Sequence, residues 1–270
     1  MRFFVLADNT VCTPGMESEH GLSLLIEFCG HTFLFDSGQS SVFIRNARRM
    51  GVEIKDAEFG VLSHGHYDHS GGMDMYMNLV PDATVYAGDG VFDTHISTTD
   101  DCGKVDIGVS MSYAHRSNVL TVGNRYDICR GLTMFESTSE DFPMPSSNSR
   151  LSAIRDGKEV PDSFGHERNL IITEGKKNVL VTGCAHRGIC NILKDARAIA
   201  GRIDAVVGGF HLSDPRGDSF DSQGTETFCQ QLGDAKCFGG HCTGEKPLRI
   251  LAQRLGERFS PLGAGNVFEI

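Results

Sequence analysis

Four side chains able to bind a metal crowd into six residues, His64-Gly65-His66-Tyr67-Asp68-His69. Neutral imidazoles suit zinc, iron and related divalent ions, and a carboxylate adds compensating charge. An ion held there would acidify a water and polarise a carbonyl or phosphoryl oxygen, the chemistry of metal-assisted hydrolysis. Asp68 reads as a ligand that also helps to align the nucleophile. The apolar run Phe59 to Leu62 reads as a short buried strand leading directly into Ser63 and His64. A strand in a layered sheet delivers such residues at its carboxyl end. Gly65 permits a tight path between the two histidines, and Gly71-Gly72 let the next helix start close to the ions. Neither G-x-S-x-G nor G-x-x-x-x-G-K-[ST] occurs, so no serine triad or P-loop competes.

The elements that must hold these residues follow from apolar periodicity. Arg2 to Ala7, Leu22 to Phe28 and Thr32 to Phe35 read as strands, the last ending in the turn Asp36-Ser37-Gly38. Ser41 to Met50 and Met73 to Val80 read as helices, with Thr84 to Ala87 as a strand between turns. From Gly88 to about Gly165 the pattern weakens. This stretch is expected as an irregular insertion in a single domain spanning 1–270, with some strands such as Val119 to Val122, and as a cover over the metals. Beyond it, paired strands Leu170 to Thr173 and Asn178 to Thr182 precede alternating helices and strands. The helices are Ile189 to Ala200, Thr225 to Leu232 and Pro247 to Leu255; the strands are Ala205 to Gly208 and Lys236 to Phe238. Strand–helix alternation implies layers of sheet and helix.

Bulk properties narrow the functional classes. The 270 residues are 40% hydrophobic and 22% charged, as in soluble globular chains. A net charge of -10 and the lack of any Lys/Arg run argue against nucleic acid. The longest apolar runs are too short to cross a bilayer. The first residues lack the length and cleavage site of a signal peptide, so a cytoplasmic location is expected. Nine cysteines without a C-x-x-C pair are expected as reduced thiols, mostly buried filler. Nothing in the sequence indicates an oligomeric state.

An H-x-H-x-D-H motif after a buried strand resembles the signature of the metallo-β-lactamase superfamily. Further matching segments are Leu6 to Thr10, Leu34 to Gly38, Ser63 to Gly72, Thr182 to Ile189, Gly208 to Leu212 and His241 to Gly244. The pieces Gly183-Cys184-Ala185-His186 and His241-Cys242-Thr243-Gly244 are similar to the branch of dihydropterin ribofuranosyl-aminobenzene phosphate synthases and related metal-dependent hydrolases. The resemblance implies an α/β fold, a four-layer αββα sandwich, with a dinuclear site. His64 and His66 would hold one ion, with His186; Asp68 and His69 would hold the other, with His241. The ions would be divalent, zinc first, with iron or manganese as alternatives. Cys184 stands where many relatives place a bridging aspartate; its thiolate would bridge, or the side chain packs behind the ligands. His211 is a ligand, a hydrogen-bonding catalytic residue or a support for the ligands. Asp36 either orients a ligand imidazole or caps its own turn. His166 is unassigned, while His20, His31, His95 and His115 read as solvated or structural.

The implied reaction is hydrolysis by a metal-bound hydroxide. Arg187 and Lys246 follow ligand segments and suggest an anionic small-molecule substrate, a phosphoester or other ester. The alternative is a pterin-dependent transferase of the synthase type. Such a pocket needs ring-stacking walls; the chain has no tryptophan and five tyrosines, so stacking would rest mainly on Phe or on Tyr67, Tyr113 or Tyr126.

Overall fold

The computed structural model describes residues 1–213 and 220–270. The first half begins with β1 (Arg2–Ala7), β2 (Ser23–Phe28) and β3 (His31–Phe35), followed by α1 (Val42–Met50) and β4 (Phe59–Val61). Two short helices, α2 (Tyr67–Ser70) and α3 (Met73–Leu79), lead to β5 (Thr84–Gly88). Gly51 ends α1 in the left-handed region, φ 72°, with its N–H on Ala47 O and Arg48 O.

The stretch expected as irregular holds seven strands. They are β6 (Thr94–Thr99), β7 (Gly103–Asp106), β8 (Val119–Val122), β9 (Arg125–Cys129), β10 (Leu132–Phe135), β11 (Leu151–Arg155) and β12 (Lys158–Pro161). Three of them join the two large sheets, and the other four form a small sheet of order β12-β11-β6-β7. These four strands are largely solvent-facing, with β7 exposed throughout. They therefore lack the buried alternation by which sequence announces a strand.

The last third runs β13 (Asn169–Glu174), β14 (Lys177–Thr182), α4 (Ile189–Ala200), β15 (Ala205–Gly209), α5 (Ser222–Leu232), β16 (Lys236–Gly240), α6 (Glu245–Leu255), β17 (Phe259–Pro261) and β18 (Val267–Glu269). One seven-stranded sheet has the order β18-β1-β2-β3-β4-β5-β8, and the other β17-β16-β15-β14-β13-β10-β9. Strands β3-β4-β5-β8 are mutually parallel, as are β14-β15-β16-β17.

Side-chain alternation sets the layers. Phe3 and Val5 of β1 meet Leu170 and Ile172 of β13 and Val179 and Val181 of β14 in the core between the sheets. Phe4 and Leu6 point the other way, onto Phe43 and Ala47 of α1 and Tyr76 and Met77 of α3. Ile171 and Leu180 likewise turn outward onto α4, α5 and α6. Strands buried on both faces need near-continuous apolar sequence, which these have. The result is an αββα sandwich. Among the described residues, no helix is long and apolar enough to cross a membrane.

Candidate metal centre

Strand ends from both sheets converge at one edge of the sandwich. The first sheet supplies Ser63 to His69 after β4; the second supplies Cys184 to His186 after β14, His211 after β15 and His241 after β16. His64, His66, Asp68, His69, Cys184, His186, His211 and His241 are all buried. Several residues here are held in the left-handed region although they are not glycine: Asp36 (φ 55°), Ala185 (φ 61°), His211 (φ 46°) and His241 (φ 48°). That conformation is unfavourable for a side chain and clusters at sites where geometry is imposed from outside.

The hydrogen bonds fix the ring tautomers. Asp36 Oδ1 accepts from Ser63 N–H at 2.7 Å, and its Oδ2 accepts from Ser63 Oγ–H at 2.7 Å and from His69 Nδ1–H at 2.7 Å. Ser63 has spent its proton on Asp36, so its Oγ accepts from His64 Nδ1–H at 2.8 Å. His186 donates Nδ1–H to Asn148 Oδ1 at 3.0 Å; the Asn148 amide is oriented by its own bond to His186 O at 2.7 Å. His241 donates Nδ1–H to Asn9 Oδ1 at 2.9 Å, the same oxygen that accepts from Gly21 N–H at 3.1 Å. In all four rings Nε2 is left as the lone-pair nitrogen.

Those lone pairs face one another. His64 Nε2 lies 3.1 Å from His66 Nδ1, and His69 Nε2 lies 3.0 Å from His241 Nε2. His186 Nε2 is buried without a partner. Facing lone pairs repel unless a cation sits between them, so this donor set fits a metal. His64, His66 and His186 form one cluster with ligand atoms within 4.8 Å of one another. Asp68 Oδ2 lies 3.3 Å from His241 Nε2, 3.3 Å from His20 Nε2 and 3.7 Å from His69 Nε2, a second cluster. Cys184 Sγ is 3.2 Å from His69 Nε2 and groups with both His64 and His69, between the two clusters.

Electrostatics agree with this donor set. Burial pushes His64, His66 and His186 well below the ordinary histidine range, and neighbouring imidazoles add to the effect. They are neutral. Burial alone would raise the Asp68 carboxyl, but His69, His241 and His20 outweigh it and hold Asp68 ionised. Burial opposes a charge on His241, yet Cys242, Asp68 and Asp8 push it up to about 9. Those negative neighbours favour positive charge at this corner, as a bound cation would supply. Burial also pushes the Cys184 thiol well up.

His211 joins neither cluster. Its Nδ1 is 2.8 Å from Ser147 Oγ, and burial lowers it to about 4, so it lines the cavity as a neutral ring. Asp36 acts on His69 and on the Ser63–His64 pair as well as sitting in its turn. His20 was expected to be solvated or structural; it lies against Asp68. His95 and His166 are both buried and share Asp162. Glu167 is a further contributor: it accepts from the N–H groups of His186 (2.7 Å) and Arg187 (3.0 Å), shaping the turn that presents His186. Burial raises its carboxyl to about 7 against those two bonds. The motif residues were readable because they are contiguous. Asn9, His20, Asn148 and Glu167 reach the site from distant segments, and no local pattern marks them.

A cavity of about 690 Å³ opens onto the clusters. The small sheet and its connections line one wall through Ser97, Thr99, Val105, Ile107 and Leu151, and Lys246 and Arg150 also line the space. Arg187 does not. Its Nε donates to Ser137 O and its Nη1 to Ser163 O, both at 3.1 Å, so it braces loops rather than awaiting an anion. Of the three tyrosines considered for stacking, only Tyr67 lines the cavity; Tyr113 is buried and bonds Ser70 O. The thiols are less buried than expected: Cys184, Cys190 and Cys237 are buried, while Cys12, Cys29 and Cys102 are exposed.

Layers, strand-end placement and histidine clusters together define a metallo-β-lactamase fold. Residues 18–96 match the family model of the metallo-beta-lactamase superfamily. The chain is 28% identical to Tm1679, described as a metal-dependent hydrolase of the beta-lactamase superfamily. Its crystal structure superposes with a TM-score of 0.85, covering 100% of this chain and 99% of that one. An uncharacterised protein of Methanocaldococcus jannaschii is 29% identical over 92% of this chain and 93% of its own length. A second protein of that organism is 27% identical over 93% of this chain and 90% of its own length. It is named 7,8-dihydropterin-6-methyl-4-(beta-D-ribofuranosyl)-aminobenzene-5'-phosphate synthase.

Proposed function

We propose that the protein is a hydrolase of small anionic esters, phosphoesters first, working with two divalent ions. The observation that carries this reading is the set of imidazoles with locked tautomers. Each gives one nitrogen to a fixed partner and leaves the other for the two ligand clusters beside the cavity. His64, His66 and His186 would hold one ion; Asp68, His69 and His241 would hold the other, with Cys184 between them. Bound there, divalent ions supply Lewis-acid charge and lower the pKa of water.

The chain's own residues do the rest. Asp68, kept ionised, would ligate and help to align the attacking water. Lys246 and Arg150 attract the anionic part of the substrate; Arg150 Nη1 shares its charge with Asp100 Oδ1 at 3.3 Å. His211, a neutral ring held against Ser147 and 4.3 Å from the His186 ring, lines the cavity where it would contact a substrate.

A condensing transferase is the second reading. The cavity volume of about 690 Å³ favours it, being ample for two organic reactants, as does the relative named as a synthase. The single Tyr in the cavity lining weighs against a stacked pterin. One metal-loaded preparation decides between them. A panel of phosphomonoesters, phosphodiesters and lactones is assayed alone, then a dihydropterin diphosphate is assayed with an aminobenzene ribofuranosyl phosphate. Single-substrate turnover supports the hydrolase; condensation without any hydrolysis overturns it.

A further inference from the structure

His66 turns Nδ1 toward His64 and leaves Nε2 buried without a hydrogen-bond partner. Behind it lie His95 from β6, Asp162 just after β12 and His166 from the loop before β13. All three are at least nine-tenths buried. We propose that these three residues form a positioning array that fixes the ring of His66 and the nitrogen it presents to the metal. This rests on the reading of His66 as a ligand.

A backbone donor sets the tautomers of this array. Gly65 N–H donates to His166 Nδ1 at 3.0 Å, so the proton of that ring is on Nε2. His166 Nε2–H then donates to Asp162 Oδ2 at 3.2 Å. The same oxygen accepts His95 Nδ1–H at 2.9 Å, and Asp162 Oδ1 accepts Phe164 N–H at 2.8 Å. The carboxylate has thereby spoken for one nitrogen of His95 and left Nε2 as a lone pair. That Nε2 is also buried and unpartnered, and it groups with the ligand atom of His66 within 4.8 Å. A donor on His66 Nε2 facing an acceptor on His95 Nε2 leaves Nδ1 of His66 free for an ion. The reverse tautomer would aim a proton at the ion and a lone pair at a lone pair.

Packing makes the same point independently. A Cβ on Gly65 would lie 2.6 Å from His95 Nε2 and 2.5 Å from Val91 O. His95 is pressed onto the turn between His64 and His66, where any larger residue would displace it. An ion held within the array itself is disfavoured by the same inventory, because the Asp162 oxygens and His166 Nδ1 are already committed to N–H donors. Carboxylate–histidine arrays of this sort raise ligand basicity and set ring orientation.

The test measures zinc affinity and stoichiometry by competition with a chromogenic chelator, alongside the melting temperature of the metal-free protein. His95→Phe and Asp162→Asn are expected to weaken one of the two zinc equivalents by about 10–100-fold. His95→Gln, which keeps one acceptor and one donor, is expected to recover much of that loss. Unchanged affinities in both disruptive variants would overturn the array, as would loss of a third zinc equivalent, which would make the cluster a site of its own. Should the variants fail to fold, the unmutated protein still decides. Long-range ¹H–¹⁵N spectra should show His166 protonated on Nε2 and His95 on Nδ1. The opposite tautomer at His95 overturns the proposal. Unmutated protein that binds no zinc at His66 sinks the hydrolase reading as well, whereas bound zinc with unaffected variants sinks the array alone.

Discussion

Asp36 decides the chemistry of two rings it never shares with a substrate. It takes the proton of Ser63 and the Nδ1–H of His69, which leaves both His64 and His69 with Nε2 lone pairs toward the centre. Asp36→Asn keeps the shape but supplies one acceptor oxygen where three donors converge. Zinc affinity, read by chelator competition, should fall by about 10–100-fold with the fold intact; an unchanged affinity would remove Asp36 from this role. Asp68→Asn tests the other carboxylate. Turnover should drop on the order of 10²–10⁴-fold while circular dichroism stays native, and a folded, metal-loaded, fully active variant would refute the assignment. At this scale the sequence disclosed what is contiguous: His64, His66, Asp68 and His69, with His186 and His241 reached through resemblance. It concealed Asn9, which bonds His241 across 232 positions, and Asn148, which bonds His186 across 38. Such partners are defined by the packing of two sheets and leave no periodic trace.

The sheets themselves were legible because strands buried on both faces carry near-continuous apolar runs, as in β13, where Leu170 and Ile172 face one layer and Ile171 the other. The small sheet was not, since Thr94–Thr99 and Gly103–Asp106 expose most of their side chains. It nonetheless walls the cavity, and that placement carries a prediction. Leu151→Ala and Val105→Trp should change KM for bulky esters by several-fold while metal content and turnover of the smallest substrates stay constant. An unaltered substrate profile across both variants would count against the wall. The junction of α2 and α3 is a second element under tight constraint. A Cβ on Gly71 would lie 2.3 Å from Gln39 O and 2.7 Å from Gln39 C, backbone atoms that cannot turn aside. Gly71→Ala should therefore cost about 1–3 kcal/mol of stability, measured by denaturant unfolding of the metal-free protein. A midpoint equal to that of the parent would contradict the packing.

For the molecule as a whole, ions held by both sheets, as proposed, would favour the native state over the unfolded one. At a free concentration of 1,000 times Kd, one ion adds about 4 kcal/mol, worth on the order of 10 °C in a chain of this size. Stripping with a chelator should lower the melting temperature accordingly and zinc should restore it; an indifferent melting curve would deny the ions any place between the sheets. The division of ligands between sheets also has a meaning in time. His64 to His69 leave the first sheet, whereas His186 and His241 leave the second, more than a hundred positions later in the chain. Contacts so distant in sequence form late in folding. An ion bound by both sets would therefore report when the two sheets dock. If the chain refolds in the presence of cobalt, the visible absorption of a four- or five-coordinate ion should rise with the slowest kinetic phase, after the strands of each sheet have already paired.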